Sequence, residues 1–460
     1  MTLRNPKLLQ RSFSTFPNRS FLVEPALYNV TSQNHFERKE TKIASLDNKL
    51  TITDLNLKDK RVLVRNDFNV PLTKTGEIAD ATRIESTIKT INYILEQGPQ
   101  SLVLMSHLGR PNGLVDKKLS LKVVASKLQD ILQRPVEFLP DCVGGEVELI
   151  CQNPKKGSIY VLENLRFHPE ETGKGKDKDG NKIKPSKSDV EKFRKSLTKL
   201  GDVFINDAFG TSHRAHSSMV GVDLPVKAAG FLLKKEIQAF QKILTNPERP
   251  YLAILGGRKV SDKILLIQKL LSQVDEMIIC GAMAFTFSRF IHGIDVADSI
   301  CEYDQEELVK EIVRSADELG VKLHFPIDHL CADKFDPNAN ICLVENPNNF
   351  PKGYLSLDCG PKTSEIYGNA ILNAKTVVMN GMPGVFEMPR FAVGTKKLIS
   401  AIVESKKRGA STIVCGGDSS ASAHKFARPE QFTHISTGGG ASIELLEGKV
   451  LPGIKALTDK

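Results

Sequence analysis

The chain has 460 residues, of which 40% are hydrophobic and 25% are charged, and its formal net charge is +9. This balance is typical of a globular protein with two or three domains, and no run of about 18 apolar residues is present to cross a membrane. The positive charge favours anionic partners, but we do not expect nucleic acid among them, because the sequence has no recognised binding motif, no Trp and only 6% aromatic residues.

The N-terminal segment, residues 1–43, differs in composition from the rest of the chain. Before the first acidic residue, Glu24, it carries four basic residues: Arg4, Lys7, Arg11 and Arg19. This composition resembles a mitochondrial transit peptide, although Pro6 and Pro17 weaken the amphipathic helix that such a peptide needs. We therefore expect a cytoplasmic protein with a basic tail, with a mitochondrial location as the alternative if residues 1–43 are a transit peptide.

From about residue 60 onward, short β-branched runs alternate with polar or Gly-rich turns and amphipathic helical stretches. The nine runs are residues 61–65, 102–105, 158–162, 202–205, 251–255, 277–280, 322–325, 376–379 and 412–415. This alternation predicts parallel sheets with helical crossovers, and so many strands indicate two sheets and therefore two domains. We place the boundary near the helical stretch 234–244. A Lys-, Asp- and Gly-rich excursion is predicted at residues 172–188, before a helix at residues 190–200.

In the first half of the chain, charged and polar side chains follow the ends of four predicted strands. They lie in residues 65–71, 106–111, 163–168 and 206–216, and Arg83 joins them from the following helix. Ligands of open parallel sheets bind beyond the carboxyl ends of the strands. Because Arg presents a planar fork that matches carboxylate and phosphate oxygens, this sheet edge is predicted to bind a small, highly charged anion.

In the second half, glycines follow the strands instead. The Gly-rich segments are residues 256–263, 280–283, 380–387, 415–420 and 436–442. Gly permits close approach of the backbone to a ligand, and the N–H groups of a following helix point at phosphate, so a nucleotide-sized ligand is predicted here. The sequence contains no P-loop. Asp418 is the candidate Mg²⁺ ligand, because Mg²⁺ on phosphates takes one or two carboxylates.

The eight cysteines form no Cys-x-x-Cys pair, and none lies at a zinc-ligand spacing from a histidine. We interpret them as scattered thiols in a reducing compartment, buried as small hydrophobic side chains.

In their order and spacing, these segments closely resemble the phosphoglycerate kinase family. The matching stretches are residues 65–72, 106–111, 163–168, 207–219, 256–264, 283–287, 380–387 and 436–452, and the resemblance extends over residues 45–460. It implies an α/β fold of two Rossmann-like domains with parallel sheets, joined by a helical hinge. The implied division is an extension (1–43), a phosphoglycerate-binding domain (44–233), a nucleotide-binding domain that starts with the hinge helix (234–440) and a C-terminal segment that returns to the first domain (441–460).

The activity that the resemblance implies is reversible phosphoryl transfer between 1,3-bisphosphoglycerate and ADP, giving 3-phosphoglycerate and ATP, with Mg²⁺ as cofactor. The residues implied for phosphoglycerate are Asp67, Asn69, Arg83, His107, Arg110, Arg166 and Arg214. Those implied for the nucleotide are Gly257, Lys259, Lys263, Gly281, Asn380, Glu387, Gly417, Asp418 and Ser419, with Asp418 also on the metal. The transfer itself is assigned by resemblance to Lys259, Arg83 and Gly439.

The sequence departs from the family pattern mainly on the adenine and ribose side. Arg258 stands where the family usually has alanine, and three other positions replace glycines: Cys280, Ala282 and Cys415. A Cβ in place of Gly narrows the space for a ligand. Arg258 either stacks on the adenine through a cation–π contact, lies in solvent, or plugs the pocket. In the first half, Asn66 replaces an apolar residue and is expected to point away from its neighbours' face of the strand.

Two functional hypotheses follow. The first is an active, monomeric kinase whose partners are its substrates. The second is a poorly active member of the fold with a structural role, docked to a larger assembly through residues 1–43. The intact lysines and the complete set of substrate-side residues favour the first hypothesis, whereas the altered adenine loop and the basic extension favour the second.

Overall fold

Two six-stranded parallel sheets, each with helices on both faces, make up most of the computed structural model. It describes residues 47–460, so the interpretations of residues 1–43 lie outside the described part. The predicted α/β class is confirmed. All nine predicted strands are present, and their ends differ from the predicted ends by at most two residues.

The first sheet is formed by the N-terminal half, and its order is β3-β4-β2-β1-β7-β8 with every neighbouring pair parallel. The strands of this half are β1 (Arg61–Asn66), β2 (Ser101–Met105), β3 (Glu137–Phe138), β4 (Ser158–Val161), β5 (Gly175–Lys176), β6 (Lys182–Ile183), β7 (Val203–Asp207) and β8 (Lys227–Ala229). The helices are α1 (Thr82–Glu85), α2 (Ile88–Glu96), α3 (Lys122–Leu132), α4 (Gly145–Gln152), α5 (Pro169–Thr172), α6 (Lys187–Thr198) and α7 (Ser217–Val220). The predicted excursion at residues 172–188 contains the small antiparallel pair β5–β6.

The second sheet has the order β11-β10-β9-β15-β16-β17 and is also parallel throughout. The strands of this half are β9 (Tyr251–Gly256), β10 (Glu276–Cys280), β11 (Lys322–His324), β12 (His329–Ala332), β13 (Ile341–Val344), β14 (Leu355–Cys359), β15 (Thr376–Asn380), β16 (Ser411–Val414) and β17 (His434–Ile435). The remaining helices are α8 (Phe231–Thr245), α9 (Ile264–Leu271), α10 (Met283–His292), α11 (Glu306–Leu319), α12 (Pro361–Asn373), α13 (Val393–Lys407), α14 (Gly417–Phe426), α15 (Gly440–Leu446) and α16 (Pro452–Lys455).

Each sheet buries both of its faces, which explains why its strands read as continuous apolar runs. In β1, Val62 and Val64 belong to one apolar cluster, whereas Leu63 between them belongs to another on the opposite face. In the second sheet, Ala253 and Ile254 divide in the same way. The period-two alternation of a strand therefore distributes every run over two cores.

A third, antiparallel sheet of order β13-β12-β14 was not predicted. Its strands have four or five residues and lack a clean alternation; β12 reads His-Leu-Cys-Ala. The strands β3, β8 and β17 were also missed, because two or three residues are too few to show a period.

Helix α8 links the two sheets and begins at Phe231, three residues before the predicted helical stretch. Its buried residues Ile237 and Phe240 join Phe209 of the first half and Leu255 of the second in one apolar cluster. The first turn of α8 is held by the carboxylate of Asp207, whose Oδ1 accepts hydrogen bonds from the N–H groups of Leu232 and Leu233 at 2.9 and 3.2 Å.

The last residues of the chain contact the first half. The backbone N of Thr458 donates to Lys227 O at 2.9 Å, and the backbone N of Gly453 donates to Ser212 O at 2.8 Å. All eight cysteines are free thiols. Among the described helices, none combines the length and the apolar character that a membrane crossing requires.

Candidate functional site

Arg65, at the carboxyl end of β1, is fully buried at the centre of a hydrogen-bond network. Its Nε donates to Ser218 Oγ at 2.9 Å, and its Nη2 lies 3.1 Å from Nδ1 of His107. Ser218 in turn donates from its backbone N and its Oγ to the buried carboxylate of Glu171, at 2.9 and 2.7 Å. Burial raises the pKa of Glu171, and the nearby charge of Arg65 opposes that rise. This network fixes the predicted site residue His107. Arg65 was predicted only as part of the polar segment 65–71, and Glu171 was not predicted as a site residue.

The loop after β1 forms an ion pair with the first helix. Asp67 pairs with Arg83, and a Cβ at Gly210 would collide with the same carboxylate, so glycine is required where the loop after β7 passes. Asn66, in contrast, is fully buried, and neither polar atom of its side chain has a hydrogen-bond partner. By the alternation of β1, Asn66 belongs to the face opposite Arg65.

The loop after β2 is held to neighbouring segments by both backbone polar groups of one residue, Gly109. Gly109 N donates to Asn69 Oδ1 at 2.8 Å, and Gly109 O accepts from Arg166 Nη1 at 2.9 Å. Burial and then the charge of Arg65 lower the pKa of Arg166 to about 10. Arg110 and Arg214, the other two predicted arginines, are exposed. The structure thus brings the seven predicted phosphoglycerate-side residues to one edge of the first sheet.

Three histidines at this edge are neutral at physiological pH. Burial, followed by the charges of neighbouring arginines, lowers the pKa of His213 to about 4 and that of His216 to about 3. The same causes place the pKa of His107 well below its usual value. The positive charge of the edge therefore comes from arginines, and the imidazoles act as neutral hydrogen-bonding groups.

In the second half, Lys263 ties together the ends of two neighbouring strands. Its Nζ donates to Gly256 O at the end of β9 (2.6 Å) and to Asn380 O at the end of β15 (2.7 Å), and it also binds Oδ1 of Asn380. All three donors of the ammonium group therefore have acceptors within the protein in this conformation. Burial lowers the pKa of Lys263.

The next strand end continues this arrangement. Asn380 Nδ2 donates to Cys415 O at 3.0 Å, and Gly381 N donates to the buried Ser419 Oγ at 2.8 Å. Gly381 has a φ of +137°, and a Cβ there would collide with Gly256, so the close approach of these two strand ends depends on glycine.

Four predicted nucleotide-side residues lie at the same edge with exposed positions: Lys259, Glu387, Gly417 and Asp418. Arg258 is exposed as well, and within residues 47–460 no hydrogen bond or ion pair engages its side chain or that of Lys259. Asp418 lies in the first turn of α14, where the free N–H groups of the helix also point. Gly257 and Gly281 approach each other, since a Cβ at Gly281 would lie 3.2 Å from Gly257 N.

A small pocket beside Gly281 is lined by side chains that the sequence did not single out, among them His329 and Ser356. His329 lies between Phe285 and Phe350, with ring-centre distances of 5.5 and 4.9 Å. Burial lowers the pKa of His329 to about 4. No spacing rule connects these residues to Gly281, because β12 and β14 belong to the antiparallel sheet.

One loop, residues 436–440, touches both halves of the molecule; we call it the bridging loop. A Cβ at Gly438 would collide with Phe209, and a Cβ at Gly440 would lie 3.2 Å from Nε2 of His213. The carbonyl of Thr437 also accepts a long hydrogen bond, at 3.5 Å, from Nη2 of Arg83. Gly439, the third residue assigned to the transfer, has a φ of +52° and precedes α15.

Helix α8 holds the bridging loop through the side chain of Glu236. The buried carboxylate of Glu236 accepts hydrogen bonds from His434 Nε2 (2.7 Å), Ser436 Oγ (2.8 Å), and both the N and Oγ1 of Thr437 (2.8 Å each). Burial alone would raise the pKa of Glu236, but these hydrogen bonds, led by that of His434, hold it below its usual value. Sequence reasoning missed Glu236, since a lone Glu in an amphipathic helix carries no signal of burial.

An arginine-rich strand edge and a glycine-rich strand edge, connected by one helix and one loop, define a two-domain α/β phosphotransferase. The family model described as phosphoglycerate kinase matches residues 52–449. The chain belongs to the phosphoglycerate kinase family.

Relatives and solved structures agree with this assignment. The chain is 53% identical over 414 residues to a phosphoglycerate kinase of Dictyostelium discoideum, covering 90% of this chain and 99% of that protein. It is 51% identical over 416 residues to phosphoglycerate kinase 1 of Pongo abelii, covering 90% and 100%. The solved phosphoglycerate kinase of Coxiella burnetii superimposes with a TM-score of 0.76 at 35% identity, covering 89% of this chain and 98% of that one. The predicted family, fold and enzyme class are therefore confirmed, and nothing in these comparisons favours a non-enzymatic role.

Proposed function

We propose that the arginine-rich edge binds 3-phosphoglycerate or its acyl phosphate, and that the glycine-rich edge binds ADP or ATP for reversible phosphoryl transfer between them. The observation that carries this proposal is the bridging loop, which contacts Arg83 and His213 at the arginine-rich edge. At the glycine-rich edge, its Ser436 O accepts a hydrogen bond from Ser420 Oγ of α14 at 3.2 Å. A loop that touches both edges is where two separately bound substrates would meet.

The chemistry requires charge neutralisation and alignment rather than a protein nucleophile. Towards ATP, a terminal oxygen of ADP attacks the acyl phosphorus, the bond from phosphorus to the carboxyl oxygen breaks, and the carboxylate departs. Lys259, whose exposed ammonium is free to follow the migrating group, compensates the charge that develops in transfer. Arg83 and the N–H groups around Gly439 stabilise the same group from the other side.

Five arginines lie at the phosphoglycerate edge, and two of them, Arg110 and Arg214, are exposed, so the edge offers positive charge to a ligand with phosphate and carboxylate groups. Because His107, His213 and His216 are neutral, they orient the ligand by hydrogen bonds and do not contribute charge at pH 7.

The nucleotide side fits Mg²⁺ through Asp418. Its exposed carboxylate lies in the first turn of α14, and Mg²⁺ bound to phosphates takes one or two protein carboxylates, so one oxygen ligand of the right hardness is present. When bound, Mg²⁺ would neutralise phosphate charge. Lys263 would exchange at least one of its three protein acceptors for a phosphate oxygen.

The proposed domains are residues 44–233 for phosphoglycerate and 234–440 for the nucleotide, with residues 441–460 returning to the first domain. Binding the substrates on separate domains implies closure about α8, which aligns the reacting groups and excludes water. We propose a cytoplasmic monomer. Residues 1–43 would then act on location or attachment and not on catalysis, so a chain lacking them is expected to keep its kcat and thermal stability.

A coupled assay on the purified chain tests the proposal. Lys259→Ala should lower kcat at least about tenfold, equivalent to ~1.4 kcal/mol of transition-state stabilisation, with an unchanged melting temperature. Lys396→Ala, an exposed lysine of the same domain, is the matched control and should keep its rate. Turnover of Lys259→Ala within a few-fold of the parent chain would refute the role assigned to Lys259.

A further inference from the structure

The segment that carries Lys259 is held by its backbone, while the side chain of Lys259 is exposed. Gly257 O accepts a hydrogen bond from Met283 N, the first residue of α10, at 2.9 Å. At the other end, Lys263 N donates to Val260 O at 2.9 Å and closes the short turn Ser261–Lys263 that leads into α9. The position of Lys259 is therefore set by what fixes its neighbouring peptides.

Glu302 provides most of that fixation, from a different part of the chain. Its Oε2 accepts hydrogen bonds from Val260 N at 2.6 Å and Ser261 N at 3.2 Å, and its Oε1 accepts from Ser261 Oγ at 2.5 Å. The backbone N of Glu302 donates to Thr286 Oγ1 at 3.1 Å, and Thr286 lies in α10. Glu302 thus fastens the peptides that directly follow Lys259 to the helix that also anchors Gly257.

The carboxylate of Glu302 supplies hydrogen-bond acceptors for the N–H groups of Val260 and Ser261. The N–H groups at the start of a helical turn have no acceptor within the turn, and an anion is favoured there by the orientation of the peptide dipoles. Hydrogen bonds from N–H to a carboxylate are about twice as strong as those to a neutral acceptor. A shift of this segment by about 1 Å would move the lysine ammonium away from the reacting group, and displacements of this size cost up to about 100-fold in rate.

We propose that Glu302 is a positioning residue for phosphoryl transfer, which acts through the backbone of residues 260 and 261 to set the reach of Lys259. The inference rests on the proposed function of Lys259. In this proposal Glu302 contacts neither substrate. Replacing Glu302 should therefore slow the transfer step and leave the binding of phosphoglycerate unchanged.

Kinetics of Glu302→Ala test this assignment. We expect kcat to fall at least about tenfold, while the KM for 3-phosphoglycerate stays within about twofold and the melting temperature changes little. Glu302→Gln keeps one acceptor oxygen and should recover part of the lost kcat. Glu345→Ala is the matched control, because this exposed glutamate of the same domain forms a surface ion pair with Lys362 at 2.8 Å and should leave kcat unchanged.

The double variant Lys259→Ala/Glu302→Ala separates a positioning role from a general structural one. If Glu302 acts through Lys259, adding Glu302→Ala to the Lys259→Ala chain should lower kcat by less than about twofold further. An equal fold-loss in both backgrounds, or a normal kcat of Glu302→Ala beside an impaired Lys259→Ala, would overturn the inference alone. A normal kcat of Lys259→Ala by itself would overturn the proposed role of Lys259 and this inference with it.

Discussion

Replacing Glu236 by alanine should destabilise the protein more than any exposed substitution, because four donors, on the buried His434 and Ser436 and the half-buried Thr437, would lose their acceptor at once. The donors are His434 Nε2, Ser436 Oγ, and the N and Oγ1 of Thr437, all within 2.7–2.8 Å of the carboxylate. Leaving a buried donor without its acceptor costs about 1–3 kcal/mol per group. Because several donors lose the same acceptor, we expect Glu236→Ala to lose about 3–5 kcal/mol of unfolding free energy.

Urea unfolding followed by far-UV circular dichroism measures this loss, with both domain transitions fitted if two appear. Glu236→Gln keeps one acceptor oxygen but turns an NH₂ group towards donors, so an intermediate loss of about 1.5–3 kcal/mol is expected. Glu307→Ala is the control, because this glutamate is 90% exposed and should cost no more than about 0.5 kcal/mol. A loss below about 1 kcal/mol for Glu236→Ala would show that the four hydrogen bonds contribute little beyond what water supplies.

Three further outcomes are expected. Arg214→Ala should weaken 3-phosphoglycerate binding and leave ADP binding intact by calorimetry, whereas equal losses for both ligands would contradict the division into two edges. Arg258→Ala should raise the Kd for ADP several-fold if the guanidinium stacks on the adenine, a contact of about 0.5–2 kcal/mol; tighter ADP binding would identify Arg258 as an obstruction. Burial lowers the pKa of His213 to about 4 and that of His216 to about 3, against about 6.5 for a free imidazole. The unfolded chain therefore takes up protons at higher pH than the folded chain, so this contribution to stability is complete above pH 6.5 and is lost as the pH falls towards 4. Urea midpoints should fall between pH 7 and pH 5, and they should fall less steeply in His216→Gln.

Much of the fold could be predicted because its signals are local. Eight of the nine predicted strands are buried almost throughout and therefore appear in the sequence as continuous apolar runs, whereas β11 begins with the exposed Lys322. The site residues follow these strands directly in sequence. Parallel pairing then places every carboxyl end at one edge, so Asp67, His107 and Arg166 are neighbours as soon as the sheet forms. The antiparallel sheet gave no such signal, because its strands are short and lack a period.

The tertiary structure alone decided which groups fix the site. The hydrogen bonds of Arg65 with Ser218, of Glu236 with Thr437, and of Glu302 with Val260 join residues far apart in the chain. In the sequence, Arg65, Glu236 and Glu302 look like ordinary charged residues of a strand, a helix and a loop. The sequence by itself determined the family, the alternation of strands and helices, and the residues at the strand ends, because periodicity and motifs act over a few neighbouring residues. Which charges are buried, and which pKa values shift as a result, was decided only when packing removed water from groups that the chain keeps apart.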